Sequence, residues 1–187
     1  MYKRLIQIIV ILLISSEVFA EGPFDSIVSA IRIAAEQGDP DAQYILGRSY
    51  CYGEDVPLDK QEGIQWLQKA AEQNHALAQY ELSFWYSFGG PKENLESIEL
   101  LKKAAYQGIP EAQYSLYCFY SRGRAYITTV RNMPEALKWL YKAAENNCVE
   151  AQYELANLYY RGDGVLKDEK TGDLWLRRAR INEGKWK

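Results

Sequence analysis

The chain has 187 residues, 22 of them basic and 25 acidic, and a net charge of −3. A nucleic-acid-binding domain needs a basic face, so this mild acidity argues against nucleic acid, and it gives no reason to expect binding to anionic lipid. After the N-terminal segment nothing is apolar for long enough to cross a membrane, and the length suits one domain with an ample core.

The N-terminal segment has the three parts of an export signal. Lys3 and Arg4 are followed by the apolar run Leu5–Ile14 and then by small residues ending at Ala20. This pattern predicts a signal peptide over residues 1–20, cut after Ala20, and a periplasmic or secreted protein. The alternative is an uncleaved anchor helix, but the run is shorter than the ~20 apolar residues that normally span a bilayer.

A short motif then repeats along the chain. The tripeptide Ala-Gln-Tyr occurs four times, at spacings of 36, 34 and 39 residues, and an Ala-Ala pair stands eight residues before each copy. The tripeptides start at Ala42, Ala78, Ala112 and Ala151. A fixed inner spacing with variable connections indicates stacked repeats, which usually form a binding surface rather than an enzyme pocket.

Each repeat is predicted to be a helix hairpin. Apolar residues recur at i, i+3 and i+4 through both halves, and small alanines in the first helix let the second approach closely. Neither helix buries its apolar side alone, so neighbouring hairpins must stack. The predicted helices are 24–37 and 40–52, 60–73 and 76–88, 94–107 and 110–121, 133–146 and 149–161, and 169–181.

Turn and cap residues support these boundaries. Asp39, Asp59, Asn132 and Asp168 precede predicted helices, and Asp and Asn are preferred N-caps. The predicted repeats are 24–59, 60–93, 94–132 and 133–168, within one domain over 21–187. The connection from Arg122 to Asn132 is longer than its equivalents and is predicted to be a functional loop. Residues 169–187 are predicted to cap the array, because Arg180 replaces the second alanine of the pair.

These residues resemble the Sel-1-like repeat family, which is related to tetratricopeptide repeats. The pattern covers nearly the whole chain after residue 20, and its fourth copy matches at Trp139, Ala143, Ala144, Ala151, Leu155, Tyr159, Gly162, Gly164, Val165 and Asp168. The resemblance implies an all-α fold, a right-handed α-solenoid of about four repeats with a C-terminal capping helix. One departure is Tyr117, which is large for a slot that the family fills with glycine.

The resemblance to tetratricopeptide repeats also implies a concave groove lined by the second helix of each hairpin. Protein partners would bind there, because Tyr and Arg commonly carry interface energy. Tyrosines of the Ala-Gln-Tyr motif are equally open to a packing role, and Arg122 and Arg161 to a helix-end role. The candidate partner-binding residues are Tyr44, Arg48, Tyr52, Tyr80, Phe84, Phe88, Tyr114, Arg122, Tyr153, Asn157 and Arg161.

Little in the sequence points to catalysis, a metal or a cofactor. The only histidine, His75, is interpreted as a solvated turn residue, and no serine-nucleophile motif is present. Three cysteines, Cys51, Cys118 and Cys148, fit no metal spacing. They are interpreted as small buried residues, with a disulfide between two of them left open.

The leading hypothesis is a periplasmic or secreted protein-binding module that works by stoichiometric contact. Members of the family with this size and location resemble adaptors, regulators of membrane sensors or immunity proteins that neutralise type VI secretion effectors, and immunity is the preferred specific role. The partner is then an effector, a sensor or a receptor. The alternatives are a β-lactamase-like enzyme, which the absent serine motif argues against, and a secreted factor that binds a host protein.

Overall fold

A computed structural model describes residues 23–122 and 131–184 of the protein. The signal-peptide prediction over residues 1–20 and most of the connection from Arg122 to Asn132 lie outside the described residues. The described residues form nine helices and no strand. In chain order the helices are α1 (Pro23–Glu36), α2 (Pro40–Tyr52), α3 (Lys60–Glu72), α4 (Ala76–Tyr86), α5 (Pro91–Tyr106), α6 (Pro110–Arg122), α7 (Met133–Glu145), α8 (Val149–Arg161) and α9 (Glu169–Asn182).

The chain divides into two compact units. The first unit ends at Ser97 and the second begins at Ile98, so the boundary falls inside α5. Odd-numbered helices carry the Ala-Ala pair or its equivalent and are called A helices here. Even-numbered helices carry Ala-Gln-Tyr and are called B helices. The all-α helix-hairpin fold predicted from the sequence is confirmed, with most ends within a residue of the prediction.

The predicted caps form as expected. The Asp39 carboxylate accepts a hydrogen bond from the Ala42 N–H at 2.8 Å. Asp59 and Asp168 accept from two N–H groups each at the starts of α3 and α9. The turns before Asp59 and Asp168 begin at Gly53 and Gly162. Both glycines adopt the left-handed backbone conformation, which glycine accepts readily because it has no side chain. These caps satisfy N–H groups that a helix otherwise leaves without partners.

The invariant eight-residue spacing has a direct structural cause. In all four repeats, the buried Gln of Ala-Gln-Tyr donates its side-chain N–H to the carbonyl of the second alanine of the pair. In the fourth repeat the Gln152 Nε2 to Ala144 O distance is 2.8 Å. An insertion within the eight residues would break this bond and leave the buried amide of the glutamine without its acceptor, which is costly. The bond therefore fixes the hairpin register.

The turn inside each hairpin is also constant. Its left-handed residue is Gly38, Asn74, Gly108 or Asn147, with φ between 64° and 94°. Asn tolerates this conformation better than most residues with a side chain, so it can replace glycine in two repeats. The next N–H donates to the first alanine of the pair in every copy. The turn and the glutamine together hold the two helices of each hairpin.

Small residues let α2 approach closely the A helix that follows it, α3. In the first unit Gly47 meets Gly63, where an added Cβ would sit 2.5 Å from the Cys51 Sγ. In the second unit Tyr117 occupies the slot of Gly47. It is nevertheless buried, and its hydroxyl donates to a carboxylate oxygen of Glu154 at 2.7 Å. The fold thus accommodates the large side chain with a hydrogen bond.

No helix in the described parts of the chain is both long and apolar enough to span a membrane. The core of the hairpins includes the alanine pairs, Trp139 and the B-helix leucines Leu46, Leu82, Leu116 and Leu155, all with exposures of a few per cent. Arg180, at the slot where α9 departs from the Ala-Ala pattern, is exposed, whereas Ala179 is buried.

Candidate partner-binding surface

In the first unit, the candidate partner-binding residues Tyr44 and Tyr52 of α2 both lie near the Arg48 guanidinium. The Cζ of Arg48 lies 5.9 Å from the ring centre of Tyr44 and 5.5 Å from that of Tyr52. Its Nε is 3.7 Å from a carboxylate oxygen of Glu81 on α4. The Tyr52 hydroxyl donates to the other Glu81 oxygen at 3.0 Å. Arg48 and Tyr52 are thereby held against the next B helix.

These contacts shift the ionisation of both side chains. Burial, together with the nearby Glu81 carboxylate, raises the pKa of the Tyr52 phenol to about 12. Burial acts to lower the pKa of the Arg48 guanidinium, but Tyr44 and Glu81 outweigh it and raise that pKa. The upward shifts extend to higher pH the range over which the phenol is protonated and the guanidinium charged.

Beside this network lies a group of exposed rings. Phe84 is 46% exposed and Phe88 72% exposed, and their ring centres are 5.0 Å apart in an edge-to-face arrangement. Phe84 also meets Trp85 at 5.6 Å, and Trp85 meets Tyr52 at 5.8 Å. We call Tyr52, Phe84, Trp85 and Phe88 the aromatic surface. Lys60 places its ammonium 5.7 Å from the Trp85 ring, at the edge of this surface.

The other two predicted tyrosines of the first unit are more enclosed. Tyr44 is buried and stacks on His75 with ring centres 4.9 Å apart. Tyr80 is half-buried on α4. The packing role that the sequence left open therefore describes Tyr44 better than a contact role does.

The interpretation of His75 as a solvated residue is wrong. Its ring is buried at the start of α4, where Nδ1 accepts from the Ala78 N–H at 3.1 Å. Its Nε2 lies 2.9 Å from a carboxylate oxygen of Asp41. Both nitrogens are thus engaged, one in the cap of α4 and the other with Asp41. The sequence signal was available, because His75 occupies the N-cap position that Asp39 occupies one repeat earlier.

In the second unit the equivalent positions are polar. Arg122 and Arg161 occupy the position that Phe88 has in its repeat, and Asn157 occupies the position of Phe84. All three side chains are exposed. Tyr114 is half-buried and stacks on Tyr117 at 5.8 Å, and burial raises the pKa of its phenol to about 12. The Tyr153 hydroxyl donates to Glu183 just beyond α9. The second unit therefore has no counterpart of the aromatic surface at these positions.

Two residues that form hydrogen bonds between successive repeats were not predicted from the sequence. Glu81 and Glu154 both directly precede the core leucine of their B helix, and both accept a hydrogen bond from a tyrosine of the preceding B helix. An acidic residue on a helix is most often a solvated side chain, so a single copy gives no reason to select either of them. An alignment of the four repeats would have distinguished these two, since only two of the four copies carry an acid in this slot.

The three cysteines are free thiols. Cys51 and Cys148 are buried and Cys118 is half-buried, which matches the interpretation as small buried residues. Burial raises the pKa of the Cys51 and Cys148 thiols to about 11. Since the thiolate is the reactive form, neither is primed for chemistry at neutral pH.

The chain was compared with known proteins. The model of the Sel1 repeat matches residues 40–75, 76–109, 110–148 and 149–180, so that each matched unit joins a B helix to the A helix after it. None of the curated proteins compared with the chain matches it.

Solved structures share the fold. A Sel1 repeat protein from Oxalobacter formigenes is 28% identical with a TM-score of 0.77, covering 86% of this chain and 65% of its own. A protective antigen of uropathogenic Escherichia coli strains is 30% identical with a TM-score of 0.75, covering 91% and 37%. An immunity protein from Pseudomonas aeruginosa is 17% identical with a TM-score of 0.52, covering 97% and 83%. The chain thus spans less than two thirds of the first two structures.

The fold and the surface define an all-α helical-repeat protein with aromatic side chains exposed outside its packing positions. The chain belongs to the Sel1 repeat family, because the family model matches most of its length. Sel1 repeats generally serve as non-enzymatic scaffolds that bind other proteins.

Proposed function

We propose that this protein binds a protein partner by stoichiometric contact, and that the aromatic surface of the first unit is the centre of that interface. One observation carries the proposal. Phe84 and Phe88 stay 46% and 72% exposed although each could have been polar at no cost to the fold, as their equivalents Asn157 and Arg161 are. Contiguous exposed apolar side chains on a soluble protein commonly indicate a contact site.

The surroundings of these rings suit an interface. Tyr, Trp and Arg are the residue types that most often dominate binding energy. Tyr52 and Trp85 border the phenylalanines, and Arg48 is held in place by Glu81 and two tyrosines. A pre-positioned side chain loses less rotamer freedom on binding than a mobile one, so more of its contact energy appears as affinity.

A double variant tests the site. Phe84→Ala with Phe88→Ala removes two exposed rings that fill no packing slot, so the melting temperature should stay within a few degrees. Partner recovery by the full-length protein from a periplasmic extract should be lost. The control is Gln65→Ala with Lys69→Ala on α3, where both side chains are exposed. Loss of the partner in the control and retention in the double variant would place the interface on the other face.

We propose further that the protein is exported and acts as an immunity protein against a type VI secretion effector. The motivation is the N-terminal segment of the sequence and the small repeat domain. An immunity protein with this fold is 17% identical, a likeness that concerns the fold alone. N-terminal sequencing of exported protein should find a start at Glu21, and an intact Met1 in a soluble cytoplasmic fraction would contradict export.

The immunity role has its own test. Cells that produce a periplasmic effector from the same genome should survive when they also produce this protein. Protection should disappear in the Phe84→Ala, Phe88→Ala variant and persist in the Gln65→Ala, Lys69→Ala control. A partner that is recovered but is harmless to cells would leave binding intact and reject immunity.

A further inference from the structure

The first unit has a second apolar feature, far along the chain from Phe84 and Phe88. A hollow of about 60 Å³ lies between α1 and α2, and the turn at Val56 closes one side. Ile27 and Ile31 line it from α1, and Ile45 and Ser49 line it from α2. Ile27 is 42% exposed, whereas Ile31, one turn further along α1, packs against the hydrophobic core.

The hollow exists because the first repeat departs from the others at two slots. The position three residues after the core leucine is Ser49 here, but Trp85, Phe119 and Leu158 in the later repeats. Trp85 in the second repeat turns towards Tyr52 of the preceding B helix. A serine at this position leaves the volume of a large side chain empty. The hollow is therefore the space that another repeat fills with its own residue.

The second slot changes from charged to apolar. The residue before the core leucine is Ile45, where the second and fourth repeats have Glu81 and Glu154. Those carboxylates accept hydrogen bonds from tyrosines of the preceding B helix. The Ile45 side chain cannot accept a hydrogen bond, so this face of the first repeat suits an apolar side chain of a partner better than a hydroxyl group.

The rest of the fold shows what kind of element covers this face. The repeat positions of Ile27 and Ile31 are occupied by Gly63 and Leu67 in α3, and by Ala136 and Leu140 in α7. In those helices the residues are buried, and a B helix packs on them: α2 on α3, and α6 on α7. No B helix precedes α1 among the described residues. The face of α1 thus has the shape of a helix-docking site.

A second copy of the chain has no free B helix to offer. Among the described residues, every B helix already meets the A helix that follows it: Gly47 meets Leu67, the Ser83 carbonyl accepts from Ser97, Gln113 accepts from Asn146, and Tyr160 meets Gly172. Head-to-tail extension of the array by another copy would need one of these contacts to break.

We propose that the isoleucine face of α1 and α2 docks one amphipathic α-helix of a different protein, which seats an apolar side chain of the size of leucine, methionine or phenylalanine in the hollow beside Ser49. The docked helix takes the place that a preceding B helix has in later repeats. This site is separate from the aromatic surface, so each can fail without the other.

Site-specific photo-crosslinking in the full-length protein tests the proposal. The probe is p-benzoylphenylalanine at position 27, with the same residue at exposed position 58 as the control. Mass spectrometry should map the position-27 adduct to one segment of another protein with apolar residues at i, i+3 and i+4. A synthetic peptide of that segment should gain helicity on mixing with the protein.

Two variants connect this peptide to the hollow. Ser49→Trp fills the hollow with the side chain that the next repeat already carries, so the fold should be as stable or more stable while the peptide binds at least tenfold more weakly. Ile31→Glu should weaken it at least tenfold as well. Phe84→Ala with Phe88→Ala should leave the peptide affinity unchanged.

Four outcomes would overturn the proposal. They are an adduct to a second copy, an adduct to residues 1–22 of the same chain, no adduct beyond that of the position-58 control, and unchanged peptide affinity in Ser49→Trp. Since Ser49→Trp removes no core atom, a loss of binding with an unchanged or raised melting temperature cannot be attributed to unfolding.

Discussion

The two units of the protein place their large aromatic side chains differently. In the first unit Tyr52, Phe84 and Phe88 are 44%, 46% and 72% exposed. In the second unit Tyr117, Phe119 and Trp139 are only 7%, 8% and 1% exposed. Tyr106 is the exception, since it is 70% exposed, but its ring stacks edge-on against Trp139 at 5.1 Å.

The contrast separates stability from recognition within one repeated design. Both units use the same alanine pairs, the same buried glutamine bonds and the same hairpin turns. These shared features maintain the fold in both, so the aromatic residues are free to differ. In the first unit Tyr44 and Tyr50 also join the core, but Tyr52, Phe84 and Phe88 remain at the surface, where a partner can reach them.

The largest expected difference is in folding stability. Trp139→Ala deletes the largest fully buried side chain and should lower the free energy of unfolding by about 3–5 kcal/mol. Phe88→Ala should change it by no more than about 0.5 kcal/mol, because the ring is mostly in solvent. Urea unfolding measures the free energy of unfolding of both variants. A similar loss in both would show that the exposed ring supports the fold.

Partner binding should show the reverse asymmetry. Cutting Phe84 and Phe88 to alanine should weaken binding by about 2 kcal/mol for each ring if both are interface anchors, or up to a thousandfold if the effects add. Asn157→Ala with Arg161→Ala changes the equivalent slots of the second unit and should leave affinity within about threefold. Isothermal titration with the recovered partner compares them. Equal losses would mean that both units share the interface.

The shared framework predicts equal effects in both units. Gln79→Ala and Gln152→Ala each remove the side-chain donor to a buried alanine carbonyl, which keeps a backbone N–H donor, so the loss of one net hydrogen bond should cost about 1 kcal/mol. Each variant is unfolded in urea against the wild-type protein. A cost confined to one unit would mean that the glutamine bond is not what fixes the hairpin spacing.

Sequence reasoning succeeded where a signal recurred in several copies. The helices, the aspartate caps and the hairpin pairing were all predictable, because four aligned repeats report the same slot four times. The main misplaced end is the start of α5 at Pro91, three residues before the prediction. Pro91 suits the first turn of a helix, where no N–H is needed, so α5 can begin at this residue.

Features found in a single copy, or in a minority of copies, were much harder to predict. His75 looked like an ordinary turn residue because its contact with Asp41 depends on how successive hairpins stack, although its cap on the Ala78 N–H is local. The roles of Glu81 and Glu154 likewise depend on tyrosines that lie 29 and 37 residues away in the chain. The exposure of Phe84 and Phe88 agrees with their place on the predicted list, but no pattern in the sequence distinguishes an exposed ring from a buried one.

The smallest expected difference concerns the two tyrosine-to-glutamate bonds. Tyr117→Phe removes a buried hydroxyl that donates to Glu154 at 2.7 Å and should cost about 1.5 kcal/mol. Tyr52→Phe removes a 3.0 Å bond at a 44% exposed side chain, where water can replace the lost donor, and should cost less than about 1 kcal/mol.

Burial, with Glu154 adding to it, raises the pKa of the Tyr117 phenol above its ordinary value of ~10. Because the folded-state pKa exceeds that of the unfolded chain, this contribution is fully present below pH ~10 and is lost as the pH rises through the folded-state value. Urea unfolding at pH 8 and pH 11 should therefore show a smaller gap between wild type and Tyr117→Phe at the higher pH. A gap that stays constant would mean that the hydroxyl acts through packing rather than through its proton.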